Sequence, residues 1–482
     1  KRLSSLMLIV TLALAVFISG CGAQPTPEAA EAPAAEQGVA DATPISVPEG
    51  GTKIIPFLTT ETDPATVDVL MTIFSEFKEE HPGVAVDLVL TSTGTELERF
   101  VTARAVGSDM GIVPVPLGAV DLAKAEYLLP LDDVVDAIGR ANFKPNSLLT
   151  YEGHVYGIGW AGGTHGTLWV RKDMFDEAGI PLPTTYDELL AAAEALTKDT
   201  DGDGKIDVYG IGLPAGSDQA TTARFVTFAY QNCGAYFDKQ GDLVFDSPGV
   251  LEGLKRYVAL LEYAPPGITG WSWYDGMEAY LAGRIAMHPY GGRLGVNVYN
   301  TNPELRDKTV VIPMRVGDKV NAGRGVYDYV GISSTTKFPE EAKELLKYWF
   351  TGDRLSRFLL TVPGHLIPPT YPMDEATLES DNEYLTRYTE DVSVLFASQE
   401  TNADPAWNMG AVDTETCTLN ASFNPMPWAG CVIGDAPIDA AMIQRVVVNG
   451  EDPEAAWQWA IAEMQKCADT WKAENPDWEP VE

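Results

Sequence analysis

Two apolar patterns in immediate succession limit the fold of this chain more than any other feature. Lys53 to Leu58 reads as a short strand, and Asp63-Pro64 then supplies a helix N-cap followed by proline at the first helical position. Val67, Leu70, Met71, Phe74 and Phe77 fall on one helical face, and His81-Pro82-Gly83 stops the helix. A second strand follows at once, with Val84, Val86, Leu88 and Leu90 alternating, and Thr95-x-x-Glu98 forms a capping box for the next helix. Strand, helix, strand, helix in that order predicts an α/β fold with parallel sheets built from βαβ units.

The pattern continues downstream. Thr167 to Val170 reads as a strand after a Gly-rich stretch, and Thr185-x-x-Glu188 opens a helix that carries Leu189, Leu190, Ala193 and Leu196. Strands are expected at Thr309 to Met314 and Tyr329 to Ile332, and Pro339 opens a helix with Ala342, Leu345, Leu346 and Trp349. No internal repeat of fixed period is present.

The N-terminus carries a different signal. Lys1 and Arg2 precede an apolar run from Leu6 to Ile18, which small residues and Cys21 follow. This reads as a secretory signal, because the run is shorter than the roughly 20 apolar residues a spanning helix needs. Ile18-Ser19-Gly20-Cys21 resembles the bacterial lipobox, so Cys21 is expected to be lipidated after cleavage. Gly22 to about Gly51 is rich in Ala, Pro and Glu without aromatic residues, a composition that suits a disordered tether. About 430 residues remain for two or more folded domains.

Charge narrows the partners. With 33 Lys and Arg against 69 Asp and Glu, the net charge is −36, which disfavours nucleic acid and anionic head groups. Beyond Cys21 stand Cys233, Cys417, Cys431 and Cys467, an even number for an oxidising compartment. Three pairings are open, of which Cys417 with Cys431, flanking one loop, is the expected one. No metal-ligand spacing of Cys and His occurs.

Five segments in order carry a resemblance: FSEFKEEHPGVAVDLV, LWVRKDMFDEAGIPLPTTYDELLAAAEALTKD, DGDGKIDVYGIGLP, YLAGRIAMHPYGG and FPEEAKELLKYWFTG. Together they resemble the family 1 extracellular solute-binding proteins, the carbohydrate-binding group that serves ABC importers. The similarity runs from about Lys53 to Ala468. It implies a two-lobed periplasmic-binding-protein fold with a ligand cleft between the lobes. On this sequence the expected division is residues 1–20 as signal peptide and 21–51 as lipidated Cys and tether. Residues 52–162 plus about 324–370 would form the N-terminal lobe, 163–323 plus about 371–470 the C-terminal lobe, and 471–482 a tail. The implied protein is a monomeric, lipid-anchored, extracytoplasmic receptor that takes up a sugar by hinge closure and delivers it to a permease.

Sugars present C–H faces that stack on rings and hydroxyls that need donors and acceptors. Trp160 in YGIGWAGGTHG, with Thr164 nearby, and Trp271-Ser272-Trp273-Tyr274 after Pro265-Pro266-Gly267 offer such rings. In an extended segment Trp271 and Trp273 would share a face. By resemblance the residues after Ala286-Met287 line the cleft, which brings in Tyr290 and Arg293. Arg293 stands where the family often has an aromatic, so it is expected to donate to hydroxyls or pair with a carboxylate. The first lobe is expected to supply Glu61 and Thr93 from loops after its strands, and the return crossing Tyr327 and Asp328. Each aromatic could instead serve core packing, and each loop residue a local turn.

A further signal runs from Asp199 to Asp207. Asp199, Asp201, Asp203 and Asp207 at loop positions 1, 3, 5 and 9, with Gly204 at 6 and the carbonyl of Lys205 at 7, match the start of an EF-hand loop. Gly210 replaces the Glu of position 12. These positions leave two readings open, a structural calcium ion and an Asp-rich turn that caps itself. No cofactor is required.

Two other functions stay open. A secreted glycoside hydrolase would also show an aromatic cleft with carboxylates, although no Gly-x-Ser-x-Gly, His-Glu-x-x-His or Walker loop is present and His is scarce, with five in the chain. A receptor for a polyamine, a peptide or ferric ion would share the fold.

Overall fold

A computed structural model describes residues 51–476 except 92–95, 116–118, 145–146, 239, 241, 401–411, 420–428 and 435. The segments expected as signal and tether, together with Cys21 and Thr93, lie outside the described residues. No helix among the described residues is long and apolar enough to cross a membrane.

Nine main strands carry the described fold: β1 (Lys53–Thr59), β2 (Val84–Leu90), β3 (Ile112–Val115), β4 (Leu148–Tyr151), β5 (His154–Thr164), β6 (Thr167–Arg171), β7 (Met287–Pro289), β8 (Thr309–Pro313) and β9 (Gly325–Ile332). The first sheet has the order β2-β1-β3-β9-β5-β4, the second β7-β6-β8. Between β1 and β2 lies the expected helix, Pro64–Glu80, capped by Asp63, whose carboxylate accepts from the Ala65 amide. The helix Tyr186–Ala195 is likewise capped by Thr185, with Glu188 accepting from the Thr184 amide at 2.7 Å.

The sheets are less parallel than the strand and helix order predicts. Only β1 with β2 and β1 with β3 pair in parallel, and the second sheet is antiparallel throughout. The cause is chain crossing. β5 runs through Thr164 into β6 of the second sheet, and β8 returns into β9 of the first. Since β1 and β3 point their carboxyl ends toward the second lobe and β9 begins there, β9 must run against β3. The two crossings lie side by side: the His165 amide donates to Arg324 O at 2.7 Å and the Met314 amide to Gly166 O at 3.0 Å.

Each sheet has its own core. The first gathers Phe57, Phe74, Phe77, Ile332, Leu346, Trp349 and Phe358, the second Leu168, Leu189, Phe225, Phe228, Tyr257, Met287 and Trp457. At roughly 1.5–3 kcal/mol for each large apolar side chain buried, these clusters hold each lobe as a unit. The division expected near residue 370 differs from the packing, because Met373, Tyr384, Leu385, Val392 and Phe396 all belong to the first core. Helix Thr389–Glu400 bridges the lobes: Leu395 packs with Trp169 and Leu294, and buried Asp391 accepts from the Val311 amide of β8 at 2.9 Å. The last helix, Pro453–Glu474, extends past the expected end at 470 and lays Trp471 on the second core.

The disulfide differs from the expected pairing of Cys417 with Cys431. Cys417 bonds Cys233, 184 residues away, with Cα atoms 5.2 Å apart. Cys233 follows helix Gln219–Gln231 and Cys417 ends the turn of a short hairpin, both with positive φ, so a tertiary contact between these two ends decides the pairing. Cys467 is also disulfide-bonded.

Candidate ligand-binding site

A cavity of about 440 Å³ opens between the two sheets, where the carboxyl end of β1, the crossings and the loop after β7 converge. That volume lies within the usual range for small-molecule sites, and its position beyond strand ends is where open α/β sheets bind ligands.

The β1 loop contributes Thr60, Glu61, Thr62 and Asp63. The Glu61 amide donates to Thr59 Oγ1 at 3.1 Å, which turns the loop toward the cleft. Opposite, Arg293 begins helix Arg293–Thr301, and its Nη2 meets Glu61 Oε2 at 3.0 Å. Both side chains are largely enclosed, so this charge-assisted bond spans the cleft in a setting poor in water. The loop after β7 is fixed from β6: Thr167 Oγ1 donates to Tyr290 O at 2.8 Å and Trp169 Nε1 to Gly291 O at 2.9 Å. Gly292 allows close approach, since a Cβ there would lie 2.0 Å from Gly364 O.

Tyr290 and Trp273 form the aromatic wall. The buried guanidinium of Arg224, 1 % exposed, lies 4.7 Å from the Trp273 ring and 5.0 Å from that of Tyr290. Among the described residues it makes no carboxylate bond and is held by Ala220 O at 3.2 Å and Pro289 O at 3.4 Å. The rings stabilise its charge, and it fixes the rings. Tyr274 continues the wall and is 55 % exposed at the rim.

Asp328 and Val326 come from β9 on the face that carries Val330 and Ile332 into the first core. Asp328 is open to cleft water, yet the surrounding walls push its carboxyl up to about 7, with Glu61 and Glu96 adding to the rise and Arg324 and Arg293 opposing it. Because this value exceeds that of an unfolded Asp, the linked stability is complete below about pH 4 and is lost as pH rises through 7. Asp328→Asn is therefore expected to raise the ligand-free Tm at pH 8 more than at pH 5. Equal shifts at both pH values would contradict the assignment.

Of the residues expected from sequence, Glu61, Thr164, Trp273, Tyr274, Tyr290, Arg293 and Asp328 meet in this cavity. Thr164 is buried, and its hydroxyl is shared with Ser398 at 2.8 Å. Three others stand elsewhere. Trp160 is a core residue, 4 % exposed, with its ring 6.1 Å from Trp349 and 5.2 Å from Phe358. Tyr327 alternates to the opposite face of β9 from Asp328 and packs in the cluster of Phe100, Val113 and Leu149. Trp271 packs on the second core and on the adjoining cluster of Trp169, Tyr280 and Ile285, because the chain turns at Trp273-Tyr274 into helix Asp275–Leu281 and the two tryptophans do not share a face. Sequence reasoning missed His165, Asn297, Arg324 and His365, which also line the cavity. His165 lies within the same Gly-rich stretch as Trp160 and was open to the same argument.

In the Asp-rich loop, carboxylate oxygens of Asp199, Asp201 and Asp207 lie within 4.8 Å of one another. Asp203 does not join them, because its carboxylate accepts from the Lys205 amide at 2.8 Å and meets Lys205 Nζ at 3.2 Å. Asp199 accepts from the amides of Gly202 and Gly204, and Asp207 from the amide and hydroxyl of Thr200, which lower its pKa. Asp201 accepts from the Asp203 amide at 3.0 Å, so three of the four expected carboxylates lie where a hard cation could bind, within a turn whose amides already cap all three.

Residues 63–351 match the family model of the bacterial extracellular solute-binding proteins. The chain belongs to this family. Its sequence is 23 % identical over 332 residues to YcjN of Escherichia coli K12, which carries the name of an ABC transporter periplasmic-binding protein; the match covers 66 % of this chain and 73 % of that one. Two solved structures share the fold. Maltose-bound MalE3 of T. maritima superposes with a TM-score of 0.67 at 17 % identity, covering 86 % of this chain and 99 % of that one. A solute-binding protein of Thermotoga lettingae bound to α-D-tagatose gives 0.69 at 22 % identity, with the same coverage.

Proposed function

We propose that this solute-binding protein captures a sugar, sugar alcohol or short oligosaccharide for an ABC importer. The observation that carries the reading is the cleft's composition: the rings of Trp273 and Tyr290, backed by Arg224, share one cavity with Glu61, Asp328 and Arg293. Rings take the apolar face of a sugar, and carboxylates and guanidinium take its hydroxyls. The relatives bound to maltose and tagatose support the same class of ligand. Function then needs only that the ligand bind one lobe, the other lobe fold over it, and the closed form dock on the permease. Cys21 anchors the monomeric receptor to the outer face of a bacterial membrane through its lipid.

A thermal-shift screen with maltose, D-tagatose, D-mannitol and spermidine tests the reading, with the soluble products analysed in parallel. A rise in Tm with at least one carbohydrate, which is then recovered unchanged, is expected. Release of shortened sugar would make the protein a glycosidase, and a rise with spermidine alone would make it a polyamine receptor.

Calcium in the loop from Asp199 to Asp207 completes the reading as a structural ion. Millimolar calcium should raise Tm, by about 2.7 kcal/mol in stability if it stands a hundredfold above its Kd. Asp201→Asn should remove most of that rise. An identical Tm in calcium and in chelator would leave the loop as a self-capped turn.

A further inference from the structure

His165 and His365 both line the cleft. His165 sits at the crossing from β5 to β6, and the amide of His365 is tied to Val362 O at 3.1 Å just after Gly364, whose φ is +78°. Each ring is half-buried, and each Nδ1 is closed off from water with no hydrogen-bond partner among the described residues. The Nε2 atoms are not enclosed in this way, so Nε2 is the nitrogen that each ring presents to the cleft.

A neutral imidazole carries one N–H. Placed on Nδ1, that proton would be a buried donor with nothing to accept it. Placed on Nε2, it faces the ligand space and leaves on Nδ1 a bare lone pair, a less costly orphan than a buried N–H. The bonding pattern therefore assigns the Nε2–H tautomer to both rings. Burial holds both rings well below the ordinary histidine pKa, and the guanidiniums of Arg324 and Arg224 beside His165 and of Arg293 beside His365 act in the same sense, so each remains neutral.

We propose that His165 and His365 determine specificity, each donating its Nε2–H to an acceptor oxygen of the ligand. This rests on the sugar reading and deepens it. The cleft then reads both polarities of a hydroxylated solute: Glu61 and Asp328 accept hydroxyl protons, while the imidazoles donate to hydroxyl or ring oxygens. A polyamine has nitrogen cations and no acceptor oxygen, so it would satisfy the carboxylates and leave both imidazoles without a partner. The preferred ligand places two acceptor oxygens where the two imidazoles meet it.

Calorimetric titration of the full chain with maltose, D-tagatose and D-mannitol tests this, using His165→Leu, His165→Gln, His365→Leu and His365→Gln. A glutamine amide nitrogen can stand near the Nε2 position and donate, whereas leucine cannot. Each Leu variant is expected to bind roughly tenfold more weakly, the loss of about one hydrogen bond, and each Gln variant within about threefold of the parent. Leu variants that bind as the parent does, or Gln variants that lose as much as Leu, would overturn the proposal and leave the sugar reading standing. A parent protein that binds none of the three sugars overturns both. Imidazole ¹⁵N spectra of the unsubstituted protein supply a readout independent of how the variants fold: the proton should sit on Nε2 of both rings and that nitrogen should shift with ligand. A proton on Nδ1 would refute the assignment.

Discussion

Trp273→Ala is expected to weaken sugar binding by roughly 30-fold to a thousandfold, the 2–4 kcal/mol of a buried aromatic anchor, while the ligand-free protein loses only about 1–2 kcal/mol of stability, one cation–π contact with Arg224. Trp273 is half-buried in the cleft wall rather than in a core, with Arg224 on it at 4.7 Å and the His165 ring 5.6 Å away. Its loss removes the stacking surface and leaves the Arg224 charge with one ring instead of two. Trp160→Ala supplies the contrast. That residue is 4 % exposed and packs on Trp349 and Phe358, so truncation should cost about 3–5 kcal/mol of stability with little direct effect on the folded protein's affinity. Calorimetry and denaturant unfolding on both variants separate the two roles. If Trp160→Ala lost affinity at unchanged stability while Trp273→Ala bound normally, the cleft would have been assigned to the wrong tryptophan.

Replacing Cys233 and Cys417 together by serine is expected to lower the unfolding free energy by about 5 kcal/mol, the loop-entropy value for a crosslink of this span. The bond closes 184 residues of chain and ties the end of helix Gln219–Gln231 to the hairpin around Val412 and Thr418. Both ends belong to the second lobe, so ligand affinity should change less than stability. Denaturant unfolding with and without reductant measures the effect. A loss below about 1 kcal/mol would mean that the unfolded chain gains little freedom when the bond is absent.

The parts of the fold readable from sequence are those set by local chemistry. The Asp63 cap, the Thr185 cap and the alternation in β2 are decided within a few residues, and each appears where the pattern placed it. The antiparallel return of β9 was not readable, because its direction depends on where the chain re-enters from the other sheet. The site follows the same division. Glu61 and Tyr290 lie in loops that follow strands and Arg293 opens the helix after the second of them, where convergence is general. Tyr327 and Asp328 are neighbours on one strand and so face opposite ways, and sequence alone does not say which face meets the cleft. Trp271 and Trp273 needed the turn at Tyr274 to be known before their faces could be separated. His365 follows a helix of the first core without any pattern of its own, and only the tertiary contact between Gly292 and Gly364 brings its segment to the second lobe. Cys417 was expected to pair with its sequence neighbour Cys431, but proximity along the chain did not decide it.

The solute is expected to sit between the lobes, gripped from both sides. A crystal structure of the full folded part with saturating maltose, D-tagatose or D-mannitol, whichever binds, tests it directly. One molecule is expected between the Trp273 and Tyr290 wall and the carboxylates of Glu61 and Asp328, within reach of His165 and His365. Ligand held instead in the surface groove of the second lobe beside Tyr186 and Arg256, with the cleft open to water, would contradict it.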